Sequence, residues 1–314
     1  MEMMQASKIL CGISENVQKV IVGKETKIRK VLSCLAAGGH VLLEDLPGAG
    51  KTVLAKALAA SCGAQFSRIQ FTPDLLPSDV TGLSIYNRKT EAFVFTPGPV
   101  FTNILLADEI NRATPRTQSG LLECMEEHQV TVDGVLRPLP EPFFVLATQN
   151  PVETAGTFPL PEAQMDRFYM KLSLGYPTKE EEIIILDRFS KGSPLETLTA
   201  VTSAEALADV CACVKNVYVH PALFAYAADI AEATRKSDKT LAGVSTRALI
   251  GLISCAKAYA LFSERNFVTP DDIKEIASDC LAHRLILSGD GTGEQVIAEV
   301  LASVPAPTED WDIS

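Results

Sequence analysis

The seven residues Leu46-Pro47-Gly48-Ala49-Gly50-Lys51-Thr52 constrain this chain more than any other stretch of it. They follow the apolar run His40-Val41-Leu42-Leu43 and precede Val53-Leu54-Ala55-Lys56-Ala57-Leu58-Ala59-Ala60, a segment of strong helix formers. A buried strand, a Gly-rich turn ending in Gly-Lys-Thr and a helix are the first half of a strand–helix–strand unit. Such a unit needs a parallel sheet with helices on its faces. The turn also carries chemistry. Backbone N–H groups of Gly48, Ala49, Gly50, Lys51 and Thr52 can wrap phosphate oxygens, Lys51 can reach the terminal phosphates, and the Thr52 hydroxyl can ligate Mg²⁺. Pro47 and Val53 border the same loop. One position departs from the pattern G-x-x-x-x-G-K-[ST]: Asp45 stands where glycine opens it.

A second run, Ile104-Leu105-Leu106-Ala107-Asp108-Glu109, is an apolar strand ending in two acids. Beside a phosphate loop, Asp108 is placed to hold Mg²⁺, usually through water, and Glu109 to polarise a water that attacks a γ-phosphate. Taken alone, the two acids would read as a solvated helix start. A third run, Phe143 to Ala147 and then Thr148-Gln149-Asn150-Pro151, ends another buried strand. Ligands of parallel sheets sit outside the carboxyl ends of the strands, so Asn150 there can bond both water and γ-phosphate. Asn before Pro is also a common turn.

Up to about residue 175 strand and helix patterns alternate. Helices are expected at 8–20, 25–37, 52–61 and 115–127, and strands at 41–44, 66–71, 104–107 and 143–147. Two hairpins interrupt them, one over 83–95 and one over 129–137 around Asp133-Gly134. From Thr178 onward the periodicity is helical only, over 178–190, 203–217, 221–236, 246–263, 270–282 and 293–302. Thr178 with Glu181 forms a capping box, and Thr269-Pro270 starts a helix. The expected division is therefore an α/β nucleotide-binding core over 1–175 and an all-α lid over 176–314, with an acidic, frayed tail. Hydrophobic content of 47% suits a globular protein, and a net charge of −11 disfavours nucleic acid as a partner. No apolar run approaches the ~20 residues of a membrane span, and no signal peptide is indicated. The eight cysteines are scattered and the four histidines lack metal-ligand spacing, which suits reduced thiols in the cytoplasm.

The loop over Leu46 to Thr52, the run Asp108-Glu109-Ile110-Asn111-Arg112-Ala113, the segment Ala147 to Pro151, the run Leu160 to Phe168 and Gly243-Val244-Ser245-Thr246-Arg247 together resemble the MoxR group of AAA+ ATPases. The similarity extends from about residue 8 to Pro307. It implies a P-loop NTPase fold, a parallel sheet flanked by helices with two hairpin insertions, followed by a helical lid. Such chains bind ATP or ADP with Mg²⁺ and hydrolyse ATP as a ring, usually a hexamer, to remodel or mature client proteins. Partners often contain von Willebrand factor A domains. The resemblance further implies that Val22 and Gly23 pack against adenine, and that Arg167 is an arginine finger given to a neighbouring subunit. Arg247 would be a lid arginine that senses the γ-phosphate. Pore-facing hairpins would leave Leu83, Ile85, Phe93, Val94 and Phe95 partly exposed, and MoxR-like chains often lack glycine at the position of Asp45. Two other functions remain open on the residues: a nucleotide-dependent scaffold or switch with slow turnover, and a DNA-directed motor, which the acidic charge opposes.

Overall fold

Alternating burial along three apolar runs sets the architecture. In the computed structural model, which describes residues 1–151 and 156–308, Val41 and Leu43 face one side of a sheet while Leu42 faces the other. Leu106 and Leu146 join the first side, and Leu105 and Val145 the second. Because both faces are covered, the strands read as unbroken apolar runs in the sequence.

The chain opens with α1 (Met3–Gln18) and α2 (Glu25–Ala36), then β1 (Val41–Glu44), α3 (Lys51–Cys62), β2 (Phe66–Gln70) and a short α4 (Pro77–Thr81). The hairpin β3 (Gly82–Asn87) and β4 (Ala92–Pro97) precedes β5 (Ile104–Asp108) and α5 (Pro115–Glu127). A second hairpin, β6 (Gln129–Val132) and β7 (Val135–Pro138), leads to β8 (Phe144–Gln149), a single-turn α6 (Glu162–Met165) and β9 (Met170–Leu172). The five parallel strands lie in the order β2-β5-β8-β1-β9. Asp133 at φ 53° and Gly134 at φ 75° make the tight turn that their sequence announces.

Six helices follow: α7 (Lys179–Ser190), α8 (Ala204–Val214), α9 (Pro221–Lys236), α10 (Thr246–Leu261), α11 (Pro270–Leu281) and α12 (Gly293–Ser303). The expected capping box forms between Thr178 and Glu181, and the expected helix start at Thr269 carries a second one, with Asp272. The segment is not wholly helical, however. Thr240–Ala242 (β10) and Ile286–Leu287 (β11) pair as a short antiparallel ribbon. Two-residue pairings carry no period in the sequence, and the same shortness hid β9. The first helix also begins at Met3, ahead of the expected residue 8. Residues 309–314 of the expected frayed tail lie outside the described residues.

One apolar core runs from the α1–α3 face of the sheet into the later helices. Leu10, Ile28, Leu32 and Leu54 are fully buried in the same cluster as Leu207, Leu252, Ile273 and Ile276. The opposite face packs on α5 through Leu121, Leu122 and Met125. All eight cysteines are free thiols.

Candidate nucleotide site and the paired arginines

At the carboxyl end of β1 the chain turns through Asp45 to Gly50 and enters α3. Gly48 (φ 87°) and Gly50 (φ 84°) adopt backbone that a side chain resists, which turns successive N–H groups toward one point. No side chain caps the first turn of α3. Its orphan amides and the positive end of the helix dipole therefore remain available to an anion. Lys51 donates to the loop itself, to the carbonyls of Asp45 (2.7 Å) and Leu46 (3.4 Å). Thr52 and Val53, in the first turn, are partly exposed.

Beside the loop lies a cavity of about 220 Å³, lined by Val20, Ile21, Val22 and Lys24 from the α1–α2 turn, by Gly48, Ala49, Gly50 and Val53, and by Gly175, Pro177, Ile185 and Phe189. Its apolar walls meet the phosphate loop, the arrangement a purine base needs. Gly23 borders it at φ 70°, where a side chain would collide with the Glu181 carboxylate. The α7 residues Ile185 and Phe189 escape sequence reading, because a helix 130 residues from the loop gives no local signal of meeting it.

The two acids are held differently. Asp108 is buried, with one carboxylate oxygen accepting from the Thr148 hydroxyl (2.7 Å) and the other from the Arg68 guanidinium (2.7 and 3.2 Å). Glu109 stands in left-handed backbone at φ 57° and ψ 50°, a strained geometry for a residue with a Cβ and a common sign of a working site. Its carboxylate accepts from Gln70 (2.7 Å) and Arg112 (3.1 Å), and its N–H donates to Thr148 Oγ1 (2.8 Å). Thr148 thus fixes both acids at once. Asn150 is buried just beyond the end of β8, on the same edge of the sheet. Arg116 is exposed. Arg68, Gln70 and Thr148 were missed from the sequence. Strand register could have found the first two, since Gln70 pairs with Asp108 across β2 and β5.

The two arginines lie elsewhere. Arg167 pairs through Nε with Glu126 (3.1 Å), and Arg247 pairs with the other oxygen of the same carboxylate. Asp166, the residue before Arg167, binds Arg284 (3.0 Å) and the Ser245 hydroxyl instead. This cluster sits at the amino ends of the strands. Tyr169 donates to the carbonyl of His40 just ahead of β1, and His40 Nε2 meets the carbonyl of Met125, next to Glu126. The length of β1, about 13 Å for four residues, separates that edge from the phosphate loop. Lys51, Thr52, Asp108, Glu109 and Asn150 are therefore together, with Val22 and Gly23 beside them. Arg167 and Arg247 are together with each other but not with the rest.

The exposed hairpin residues are also where the sequence expects them. Leu83, Ile85, Phe93 and Val94 are exposed, while Phe95 is half-buried against Phe101 and under the Arg137 guanidinium. No helix among the described residues is long and apolar enough to cross a membrane.

Residues 40–170 match the family model of ATPases associated with various cellular activities (AAA), and residues 232–300 match an AAA lid domain. The chain is 49% identical over 300 residues to an uncharacterised Bacillus subtilis protein, YeaC, across 94% of each chain. It is 42% identical over 295 residues to chaperone MoxR1 of Mycobacterium tuberculosis, covering 91% of this chain and 78% of that one. Protein MoxR of Paracoccus denitrificans is 31% identical over 86% of each. A crystal structure of a Cytophaga hutchinsonii protein superimposes with a TM-score of 0.91 at 41% identity, over 98% of this chain and 97% of that one. With the loop, the paired acids and the helical lid all present, and with this likeness along nearly its whole length, the chain belongs to the MoxR family of AAA+ ATPases.

Proposed function

We propose that this AAA+ ATPase hydrolyses ATP at sites shared between subunits of a ring, a hexamer by family resemblance, and uses the cycle to remodel client proteins in the cytoplasm. In each site Lys51 and the loop amides would hold the phosphates, Thr52 and Asp108 the Mg²⁺, and Glu109 with Asn150 the attacking water. Arg167, and with it Arg247, would come from the next subunit. Mg²⁺ held by Thr52 and Asp108 would supply positive charge against the charge that develops on the phosphates. The uncapped amides of α3 and the oxygen donors of Thr52 and Asp108 suit that pair of ligands.

The single observation that carries the proposal is the separation of the two clusters. Both arginines lie at the amino ends of the strands and the loop at the carboxyl ends, with the length of β1 between them, which supports a site completed by a second copy. The chaperone name of the Mycobacterium tuberculosis relative and the exposed apolar hairpin support client handling. A von Willebrand factor A partner rests on family resemblance alone.

The deciding experiment is Glu109→Gln. ATP turnover is expected to fall by about 10²–10⁴-fold, the usual worth of a general base, with nucleotide binding retained. Unchanged turnover would remove Glu109 from its role. One observation favours a slower, switch-like protein: Lys51 is held by the loop's own carbonyls and Glu109 by Gln70 and Arg112, so the acid and the lysine both rest on partners within the chain. Single-turnover and steady-state rates of the native protein separate the two readings.

A further inference from the structure

Asp45, the residue that breaks the loop pattern, is buried, and its carboxylate is fully engaged. One oxygen accepts from the Ser173 hydroxyl (2.6 Å) and the Gly175 N–H (3.0 Å), the other from the Leu174 N–H (2.8 Å). Its main-chain carbonyl accepts from Lys51 Nζ at 2.7 Å. A single residue therefore touches the phosphate-sensing lysine through its backbone and, through its side chain, the segment that leads from β9 into α7. Gly175, at φ 65°, gives that segment a turn, and Gly175, Pro177, Ile185 and Phe189 then form one wall of the base cavity. Lys24 holds the same segment from the other side, donating to the Tyr176 carbonyl (3.1 Å) and facing Glu181 (3.7 Å).

We propose that Asp45 is a positioning residue that couples occupancy of the phosphate loop to the placement of α7. When Lys51 leaves the Asp45 carbonyl for a phosphate, that carbonyl loses its donor and its peptide plane is free to turn. The carboxylate is anchored by three hydrogen bonds to residues 173–175, charge-assisted and shielded from water, so the turn is transmitted to them. Glycine at this position would let the loop move and leave the 173–175 segment unaware of it. In this chain the departure from the loop pattern is thus the connection between the phosphates and the lid. The proposal rests on the nucleotide site described above, yet it needs neither a ring nor hydrolysis.

Hydrogen–deuterium exchange of the full chain, with and without ADP or a non-hydrolysable ATP analogue, tests it. In the native protein nucleotide is expected to slow exchange across residues 173–190. Asp45→Gly is expected to bind nucleotide within about threefold of native, to lose the slowing at 173–190, and to show kcat lowered about tenfold with KM little changed, the size of an ordinary coupling between sites. Ser173→Ala removes one bond of three and is expected to weaken the exchange response in the same direction while keeping the fold. A native-like response in Asp45→Gly, or in Ser173→Ala should the glycine variant not fold, would overturn the coupling. So would a hundredfold loss of nucleotide affinity in Asp45→Gly, which would make Asp45 part of the phosphate cradle. Failure of the native chain to bind nucleotide at all would instead overturn the function, a different and separable result.

Discussion

The two ends of the central sheet are built on opposite plans. At the carboxyl ends of the strands the chain offers uncapped helix amides and Lys51 resting on carbonyls, beside two acids joined through Thr148. At the amino ends it offers two guanidiniums that share the one carboxylate of Glu126, near the buried His40 and the half-buried His283. The first end is suited to an anion, and under the proposed function the second would complete its charge balance. Because β1 lies between them, the subunit carries the loop and the arginines on opposite edges, and under the proposed function a second copy would join them.

The largest expected effect breaks this comparison directly. Arg167→Ala should lower ATP turnover by about 10³-fold or more, the usual worth of an arginine finger, while Lys51→Ala should abolish nucleotide binding. Mixing the two variants should restore part of the activity, because some interfaces then pair an intact loop with an intact arginine. Full activity of Arg167→Ala alone would mean that each end works without the other.

Acid should strike the arginine end first. Burial depresses His40 to about 4 and His283 to about 3 from an ordinary 6.5, so both are neutral in the fold. Val145 donates to His40 Nδ1 at 3.0 Å, so Nε2 carries the proton and donates to Met125. Below pH 6.5 the unfolded chain takes up protons that the fold refuses. Stability is therefore whole above 6.5 and falls as the pH drops toward 4, by about 3 kcal/mol for His40 alone. Urea midpoints between pH 7 and 4.5 would read this. A flat profile would show that these rings are not held neutral by the fold.

What was legible in the sequence follows the same division. The loop end is local: Gly48, Gly50, Lys51 and Thr52 are consecutive or nearly so, and the acids end one apolar run. The tight turn at Asp133-Gly134 and the caps at Thr178 and Thr269 are local too, and they stand where expected. The arginine end is assembled from α5, the α6–β9 link, α10 and the segment after α11, so Arg167 and Arg247 can be named from motifs but their shared partner cannot. Glu126 is one acid among several in a helix whose sequence says only that it is amphipathic. Arg68 and Gln70 were hidden for another reason. They are polar residues on a strand whose burial alternates, and only the register of β2 against β5 brings them to Asp108 and Glu109.

Thr148→Val sharpens the account of the loop end. Valine keeps the shape but removes the Thr148 donor from one Asp108 oxygen, leaving Arg68 on the other, and leaves the Glu109 N–H without that acceptor. The cost of two such losses at a buried site is about 2 kcal/mol, so turnover should fall about thirtyfold with nucleotide affinity little changed. Equal losses in affinity and turnover would show that Thr148 supports the fold of the loop and not the aim of the acids.

The smallest effect is the most telling about the arginine end. Glu126 is partly exposed, as are both arginines, so each ion pair is screened and its removal should change stability by less than about 1 kcal/mol. Its effect on turnover depends on what the carboxylate does. If Arg167 must leave Glu126 to meet a neighbour's phosphoryl group, the acid competes with the transition state, and Glu126→Gln should raise turnover about twofold, a free-energy change of about 0.4 kcal/mol. If Glu126 instead holds Arg167 in the pose it uses, the variant should fall toward the activity of Arg167→Ala. The sign of a small change therefore decides whether the two guanidiniums wait in the free subunit or are already set for the next one, and steady-state rates over a range of protein concentration measure it, because a competitor within the chain lowers turnover equally at every concentration once the interface has formed.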